Sequence, residues 1–320
     1  MRGIALASLV VLAQGCAVAH DVDDAGPGVD AFSAAADASD ARAFVIDAFA
    51  RLPDAFAPPM DAFVPRPDVT TPPADATTQP LDASGLTRSG YLVIEQDDFG
   101  GGPYIAAFFS SLTPADLMRG LFVPGCAIIE ESGSCRVITC TTGSSTDLAG
   151  TVSARAGALF LSASTTTSTG GGPPTWDEYF ASGGGSNVPP GQIVDLAATG
   201  AAVPAFAGRL SMPPASGATL PATISRSADY VVRWGASTAD RVWVGINLAS
   251  VAATSYIECE APGAAGSITV SRTLLAHFAA GDSVVPYAAN SNEAYTSAGS
   301  YLIRLMSWSY TQANPTTLAP

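Results

Sequence analysis

Two adjacent acidic residues in an aromatic segment are the residues of this sequence whose types and spacing point most directly to chemistry. Asp177 and Glu178 lie within 176–180, and a run of three glycines stands on each side of that segment. Carboxylates hydrogen-bond the hydroxyl groups of sugars and aromatic rings stack on their apolar faces, so the pattern predicts a ligand-binding loop. The candidate contacts are Trp176, Asp177, Glu178 and Tyr179. In the alternative interpretation, the aromatic residues hold a long loop against the core while the acids face water.

Catalysis by these acids is not predicted. Glycoside hydrolysis needs two carboxyl groups at a suitable separation, whereas adjacent residues of an extended chain point in opposite directions. His277 is the only histidine of the folded part, and it lies in a short connection where a surface histidine is ordinary. The sequence contains no Gly-x-Ser-x-Gly or phosphate-loop motif. We therefore expect no catalytic residue and keep a hydrolase that uses acidic residues alone as a second alternative.

Neither the acids near residue 97 nor the cysteines are predicted to bind a metal ion. Glu95, Asp97 and Asp98 precede three glycines, and their hard oxygen ligands would suit calcium. They lack the spaced acidic pattern of a dedicated calcium loop, so a solvated turn is the preferred interpretation. The cysteines have poor spacing for zinc and no histidine nearby. The sequence thus predicts neither a metal nor a cofactor.

Four cysteines of the folded part are expected to form two disulfide bonds. They are Cys126, Cys135, Cys140 and Cys259, an even number in a chain with an export signal. Three connectivities are possible. A three-residue loop at 132–134 would place Cys126 across from Cys140 and leave Cys135 to pair with Cys259. A two-residue loop would shift the register by one residue, and that pairing would fail.

Residues 1–19 are typical of a targeting segment, with Arg2 followed by a short apolar run that is too short to span a bilayer. The sequence Ala-Gln-Gly-Cys at 13–16 resembles a bacterial lipobox, which implies lipidation of Cys16. In the alternative, a small-x-small site ends at Ala19. Cleavage there would remove Cys16 and leave a secreted protein.

Residues 20–88 are interpreted as a disordered, acidic tether rich in proline and alanine. Aspartate recurs every seven residues from Asp40 to Asp82, but frequent prolines exclude a coiled coil through most of the repeat. Residues 20–85 have a charge of −9 out of the total of −14, so the segment repels itself and stays extended. A tether of this kind would hold the following domain away from a membrane surface.

Residues 89–320 are predicted to be all-β. About fourteen short runs of β-branched and aromatic residues alternate with turn residues, which is typical of an antiparallel β-sandwich. The sandwich is either one large unit or two modules, 89–198 and 199–320. Arg241–Leu248 alternates as a half-buried antiparallel strand does. Short helices are expected over 113–121, with Thr113 as the N-cap, and over 273–280.

The second module has an immunoglobulin-like spacing of residues. Trp234 ends one strand, Cys259 lies on a later strand, and the connection at 275–282 resembles the turn before the penultimate strand of such sandwiches. These signals are common ones, and the resemblance implies a fold without a function.

The whole chain resembles predicted surface lipoproteins of high-GC Gram-negative bacteria. The resemblance rests on the lipobox-like signal with Cys16, the Asp-Ala-Pro repeat tether and the disulfide-bearing β-sandwich. It implies an outer-membrane or cell-surface location, but that family has no common known activity. The membrane, reached through the lipid anchor, is one expected partner, and a glycan or protein at the cell surface is another. The net charge of −14 argues against nucleic acid as a partner.

We therefore expect an exported, envelope-anchored protein with a non-enzymatic binding or structural role. The main alternative is a carbohydrate-binding module that uses the segment 176–180.

Overall fold

A computed structural model describes residues 85–97, 102–141, 143–164, 166–169, 176–183, 185–249 and 255–320. The predicted signal segment, Cys16 and the tether up to residue 84 lie outside the described residues, so those predictions stay untested. Within the described ranges, no helix has the length and apolar character needed to cross a membrane.

The regular secondary structure of the described part is almost entirely β-strand, which confirms the predicted fold class. Every run predicted as a strand coincides with one. The first nine strands are β1 (Arg88–Asp97), β2 (Tyr104–Ser110), β3 (Cys126–Ser132), β4 (Cys135–Cys140), β5 (Ser144–Ser145), β6 (Val152–Ala156), β7 (Leu159–Ala163), β8 (Thr166–Thr169) and β9 (Trp176–Ser182). The next nine are β10 (Ile193–Ala198), β11 (Phe206–Ser211), β12 (Tyr230–Arg233), β13 (Arg241–Leu248), β14 (Ser255–Pro262), β15 (Ser267–Val270), β16 (Ser283–Ala298), β17 (Tyr301–Gln312) and β18 (Thr316–Thr317).

Two short α-helices, α1 (Pro114–Met118) and α2 (Arg272–Leu275), interrupt the strands, together with a 3-10 turn at Gly263–Ala265. Thr113 is the N-cap of α1, as predicted. Its hydroxyl accepts a hydrogen bond from the Asp116 N–H, and the Asp116 carboxylate accepts one from the Thr113 N–H. This reciprocal pair is a capping box. Both helices end earlier than the sequence predicts.

Most strands form one large sheet, in which the two halves of the chain are interleaved. Its order is β3-β4-β14-β13-β16-β17-β1-β2-β9-β5, with β18 paired to β16 and β8 paired to β9. Smaller sheets have the orders β11-β10-β6-β7 and β12-β15. Since β1 lies between β17 and β2, a module boundary near residue 198 is wrong, and 199–320 is not a separate immunoglobulin-like unit. The alternative of one large sandwich holds.

One face of the large sheet is covered by the two smaller sheets. The four-stranded sheet buries a cluster that includes Leu92, Phe109 and Tyr179. The two-stranded sheet and α2 bury a neighbouring cluster that includes Trp234 and Cys259. The two layers of sheet therefore form the predicted sandwich.

The opposite face of the large sheet is covered in part by residues 111–125, which we call the strap. The strap connects β2 to β3 and contains α1. Leu117, Phe122 and Val123 of the strap belong to a hydrophobic cluster with Tyr91 and Trp243 of the sheet. As a result, β13 is buried on both faces, and its prediction as a half-buried strand is wrong.

Both expected disulfide bonds are present, as Cys126–Cys140 and Cys135–Cys259. The register that joins the first pair does not come from a three-residue loop, because Ser132 pairs directly with Cys135 across a two-residue turn. A shift between Ile128 and Glu130 restores the register. A β-bulge inserts one extra residue into one strand, so it has the same effect as a longer loop.

The two disulfides should differ in their contribution to stability. Cys126–Cys140 spans 14 residues and Cys135–Cys259 spans 124 residues. Because a longer closed loop restricts the unfolded chain more, Cys135→Ala/Cys259→Ala should lower the free energy of unfolding by about 1–2 kcal/mol more than Cys126→Ala/Cys140→Ala. Urea unfolding of the two variants measures the difference. Equal losses would contradict the assignment.

Candidate functional site

The face of the large sheet beneath the strap carries buried ionisable side chains between aromatic rings, and we call it the polar face. Strand residues alternate in direction, so every second residue of each strand contributes to it. Its buried acids and arginines are Glu95, Asp97, Glu178, Glu258, Arg136 and Arg304. Its large buried aromatic residues include Tyr91, Tyr104, Tyr287, Trp243, Trp308 and Tyr310. An all-apolar face would be the simpler way to fill a core, so this composition requires an explanation.

At one end of the polar face, glutamates face tyrosines; we call this group the acid–tyrosine end. The Tyr104 hydroxyl donates a hydrogen bond to Glu95 Oε2. The Tyr91 hydroxyl donates to Glu178 Oε2 over 3.4 Å. Glu95 and Tyr104 are directly opposite each other in the β1–β2 register, so the sheet itself fixes this pair.

The Glu95 carboxyl titrates near neutrality. Its side chain is fully buried, and burial raises its pKa to about 7, although the hydrogen bond from Tyr104 acts in the opposite direction. Burial also raises the pKa of the Tyr91 and Tyr104 phenols well above the usual value, and the nearby carboxylates raise it further. The two phenols are therefore neutral, and Glu95 can either donate or accept a proton near pH 7.

The other end of the polar face is a network of paired charges; we call it the arginine end. Arg136 Nη2 lies 3.1 Å from Glu258 Oε2, and Arg304 Nη2 lies 2.7 Å from Glu293 Oε2. Burial raises the pKa of Glu258 to about 7, against the lowering effect of Arg136. Arginine suits such buried pairs because its planar guanidinium is weakly hydrated and always charged.

Trp243 lies at the centre of the arginine end. Its indole N–H donates to Ser291 Oγ at 3.0 Å and to Glu293 Oε1 at 3.2 Å. The Arg304 guanidinium carbon is 5.0 Å from the ring centroid of Trp243, within cation–π range. The ring of Trp308 lies 5.6 Å from that of Trp243, which links this end to the rest of the face.

The strap is fitted closely to the arginine end. The Phe122 ring lies 6.1 Å from Trp243 and 5.5 Å from Tyr91, and the Arg304 guanidinium carbon lies 5.5 Å from the Phe122 ring centroid. Gly120 has φ +79° and its Cα lies against Arg136, where a Cβ would be 2.0 Å from the guanidinium. Both the backbone angle and the close approach require glycine at this position.

The residues predicted as ligand contacts are divided between the two faces of β9. Glu178 lies on the polar face, while Tyr179 is buried on the opposite face, where its hydroxyl accepts a hydrogen bond from the Ala149 N–H. Asp177 points to the same side as Tyr179, so Asp177 and Glu178 cannot act as an acid/base pair. The side chain of Trp176 lies outside the described residues. The segment is a strand rather than the predicted loop, because it pairs with β2.

The histidine and the acids that were candidates for catalysis or calcium binding have ordinary surroundings. His277 Nε2 lies 2.5 Å from Glu130 Oε2 in a part-exposed pair. Of the acids that were candidate calcium ligands, Glu95 accepts a hydrogen bond from Tyr104, and Asp98 lies outside the described residues. Among the residues that the structure describes, no group of three or more His, Cys, Asp or Glu side chains is arranged to hold a metal ion.

The residues of the arginine end are absent from the sequence predictions, although a signal for them exists. Arg304, Trp308 and Tyr310 lie on one face of β17, where Met306 also lies, and Glu258 and Glu260 share one face of β14. Polar and aromatic residues at every second position, opposite an apolar face, indicate a face with more than a packing role.

Comparisons with known proteins identify no family. No family model matches the chain, and no curated protein matches it. A solved structure of the chicken CNTN1 FN1-FN3 domains is similar to it over 58% of this chain and 64% of that one, at 9% sequence identity and a TM-score of 0.18. The match thus spans less than two thirds of that protein. At that TM-score the similarity carries no argument about function.

The buried Glu95 carboxyl should make the protein less stable as pH rises towards neutrality. The folded state holds its proton up to about pH 7, whereas the ordinary carboxyl value is 4.5. Because the folded state binds more protons between these values, the free energy of unfolding falls as pH rises through them, by on the order of 2–3 kcal/mol. Above about pH 7 this contribution stays constant.

Glu95→Gln should make the decline shallower, because glutamine does not titrate. Urea unfolding between pH 5 and 8 measures the slope, with Glu131→Gln on the exposed surface as the matched control. An unchanged slope in Glu95→Gln would show that this carboxyl does not titrate in that range.

Gly245 makes room for the Tyr287 ring on the polar face. The two residues are paired in the β13–β16 register, and a Cβ on Gly245 would lie 1.9 Å from the ring. Gly245→Ala should therefore lower the free energy of unfolding by about 1–3 kcal/mol, the usual cost of overpacking. Gly235→Ala is the control, since no atom lies within 4 Å of its added Cβ. Equal stability of the two variants would contradict the close contact.

Proposed function

We propose that this chain is an exported, envelope-anchored lipoprotein whose folded part binds a ligand on the polar face without catalysing a reaction. The two disulfide bonds indicate an oxidising compartment. The lipobox-like Cys16 supports anchoring to the outer membrane or cell surface through a lipid. The acidic tether that follows would carry the domain away from that surface.

The buried charge of the polar face is the observation that carries the binding role. Glu95, Glu258 and Glu178 have no exposed surface, and Arg136 and Arg304 have almost none. Burying charges generally costs more than packing apolar side chains of the same volume, so stability alone does not account for them. Functional sites are where such groups concentrate.

The predicted glycan-binding alternative is best supported at this face rather than at the whole segment 176–180. Of that segment, Glu178 lies among the tyrosines of the acid–tyrosine end, and the Phe180 ring lies 5.5 Å from Tyr104. Tyr179 is buried on the other face of the large sheet, under the four-stranded sheet. A ligand contact made by this strand would therefore come from Glu178 and Phe180.

The anchoring proposal predicts a membrane-bound protein that begins at Cys16. In a Gram-negative host, the full chain should fractionate with membranes, and Cys16→Ser should release it or leave its signal segment uncut. Intact-mass measurement separates this from cleavage after Ala19, which would give a soluble chain that begins at His20. Ala19→Gln blocks only that second route and serves as the control.

A Cys16→Ser protein of unchanged mass that remains in the membrane fraction would contradict the anchor. Release of reducing ends when the purified chain is incubated with polysaccharides would contradict the non-enzymatic role and favour the hydrolase alternative.

A further inference from the structure

Several buried polar atoms on the polar face have no hydrogen-bond partner among the described residues. Besides Nε of Arg136 and Nε of Arg304, they include four atoms: Glu95 Oε1, Glu258 Oε1, Tyr287 Oη and Trp308 Nε1. All four side chains have zero exposed surface. Buried polar groups in native proteins are normally satisfied, and exceptions occur where a ligand, an ion or a water completes the set.

The strand register arranges these side chains in two pairs, four residues apart along β16 and β17. Glu95 and Trp308 are opposite each other in the β1–β17 pairing, so their backbones are about 4.8 Å apart. Tyr287 and Glu258 flank Gly245, which pairs with both of them. The four side chains thus lie on β14, β16, β17 and β1, with β13 between β14 and β16 in the sheet.

The Tyr287 phenol is affected by the charges of both carboxyls. Burial raises the pKa of its phenol well above the usual value, and the charges of Glu258 and Glu95 both raise it further. The Tyr287 hydroxyl is therefore within electrostatic reach of each acid, which links the two pairs.

The unpartnered atoms differ in what they need. The Trp308 N–H can only donate a hydrogen bond, the Tyr287 hydroxyl can donate and accept, and the two carboxyls accept when ionised. A ligand that satisfies all four must present both donors and acceptors. Hydroxyl groups of a sugar do so, and the aromatic rings around them suit its C–H faces.

Other ligand classes fit less well. An organic cation would leave the Trp308 N–H without an acceptor. An anion would face the Glu95 and Glu258 carboxyls at close range, and like charges raise the cost of binding. A metal ion is disfavoured because an indole N–H is not a ligand.

We propose that Glu95, Tyr287, Trp308 and Glu258 form a binding site for a sugar unit of an uncharged glycan. The inference rests on the proposed binding function and gives its ligand class. Since the four side chains have no exposed surface, part of the cover of the polar face must move when the ligand binds. The strap is the described segment that covers the adjacent Trp243.

The test begins with the full chain on a microarray of neutral, amino and acidic oligosaccharides. The neutral oligosaccharide that binds best is then titrated by calorimetry into the wild type, Tyr287→Phe and Glu95→Gln. Each substitution keeps the shape of the side chain. Tyr301→Phe is the matched control, because that phenol donates to Asp147 on the other side of the sheet.

We expect binding of neutral oligosaccharides, weakened about tenfold in Tyr287→Phe and Glu95→Gln and unchanged in Tyr301→Phe. Tyr287→Phe should not lower the melting temperature, since it removes a hydroxyl that has no described partner. A lowered melting temperature with unchanged affinity would mean that the hydroxyl is structural and would overturn the site.

The remaining outcomes separate the site from the function. Sugar binding that is unaffected by both substitutions would overturn this site and keep the proposed binding role. Selective binding of charged sugars would overturn the ligand class alone. No binding on the array or to purified peptidoglycan sacculi and outer-membrane vesicles would overturn both the site and the proposed function.

Discussion

The pairing of β1 with β17 is the constraint on which the rest of the structure depends. Ten consecutive residue pairs, from Arg88 with Tyr301 to Asp97 with Tyr310, join the start of the folded chain to its last long strand in parallel. Parallel strands need a long connection, and here nearly all of the folded chain serves as that connection. Without this ladder, the strands on either side of it would belong to different sheets, and the acid–tyrosine end would not meet Trp308.

The two faces of the large sheet follow different physical rules. The face under the smaller sheets is apolar and well suited to hold the sandwich together. The polar face contains ion pairs and hydroxyl groups that are as deeply buried as the side chains of the apolar face. Each unsatisfied polar atom there lowers the free energy of unfolding by about 1–3 kcal/mol. The apolar face and the two disulfides offset that cost, so the polar face can be shaped by something other than stability.

The sequence predicts the strands well because short β-branched runs between turn residues are a local property. It predicts the partners of those strands poorly. β9 reads as a loop because glycines flank it, and only its pairing with β2 makes it a strand. The second half of β16 is rich in Asn, Ser and Glu and reads as coil, yet all of it pairs with β17. The bulge beside Ile129, which sets the disulfide register, has no local signal either.

When both faces of a strand are buried, the sequence also does not show to which face a residue belongs. Alternation separates Arg241, Trp243 and Gly245 from Val242 and Val244, but it cannot say which set meets another sheet. Glu178 and Tyr179 show the same limit, since neighbours in one motif end on opposite sides of the sheet. Those assignments come from long-range pairing, which a single sequence does not display.

The position of β1 also has a mechanical consequence. The first strand of the fold directly follows the amino-terminal segment, and it is held by β17 on one side and β2 on the other. A pull on the amino-terminal end of β1 that is directed along the strand acts on both of its ladders. Its ladder hydrogen bonds are then loaded together in shear rather than opened one after another, as in peeling. A central first strand therefore makes the amino-terminal end of the described fold resistant to such a force.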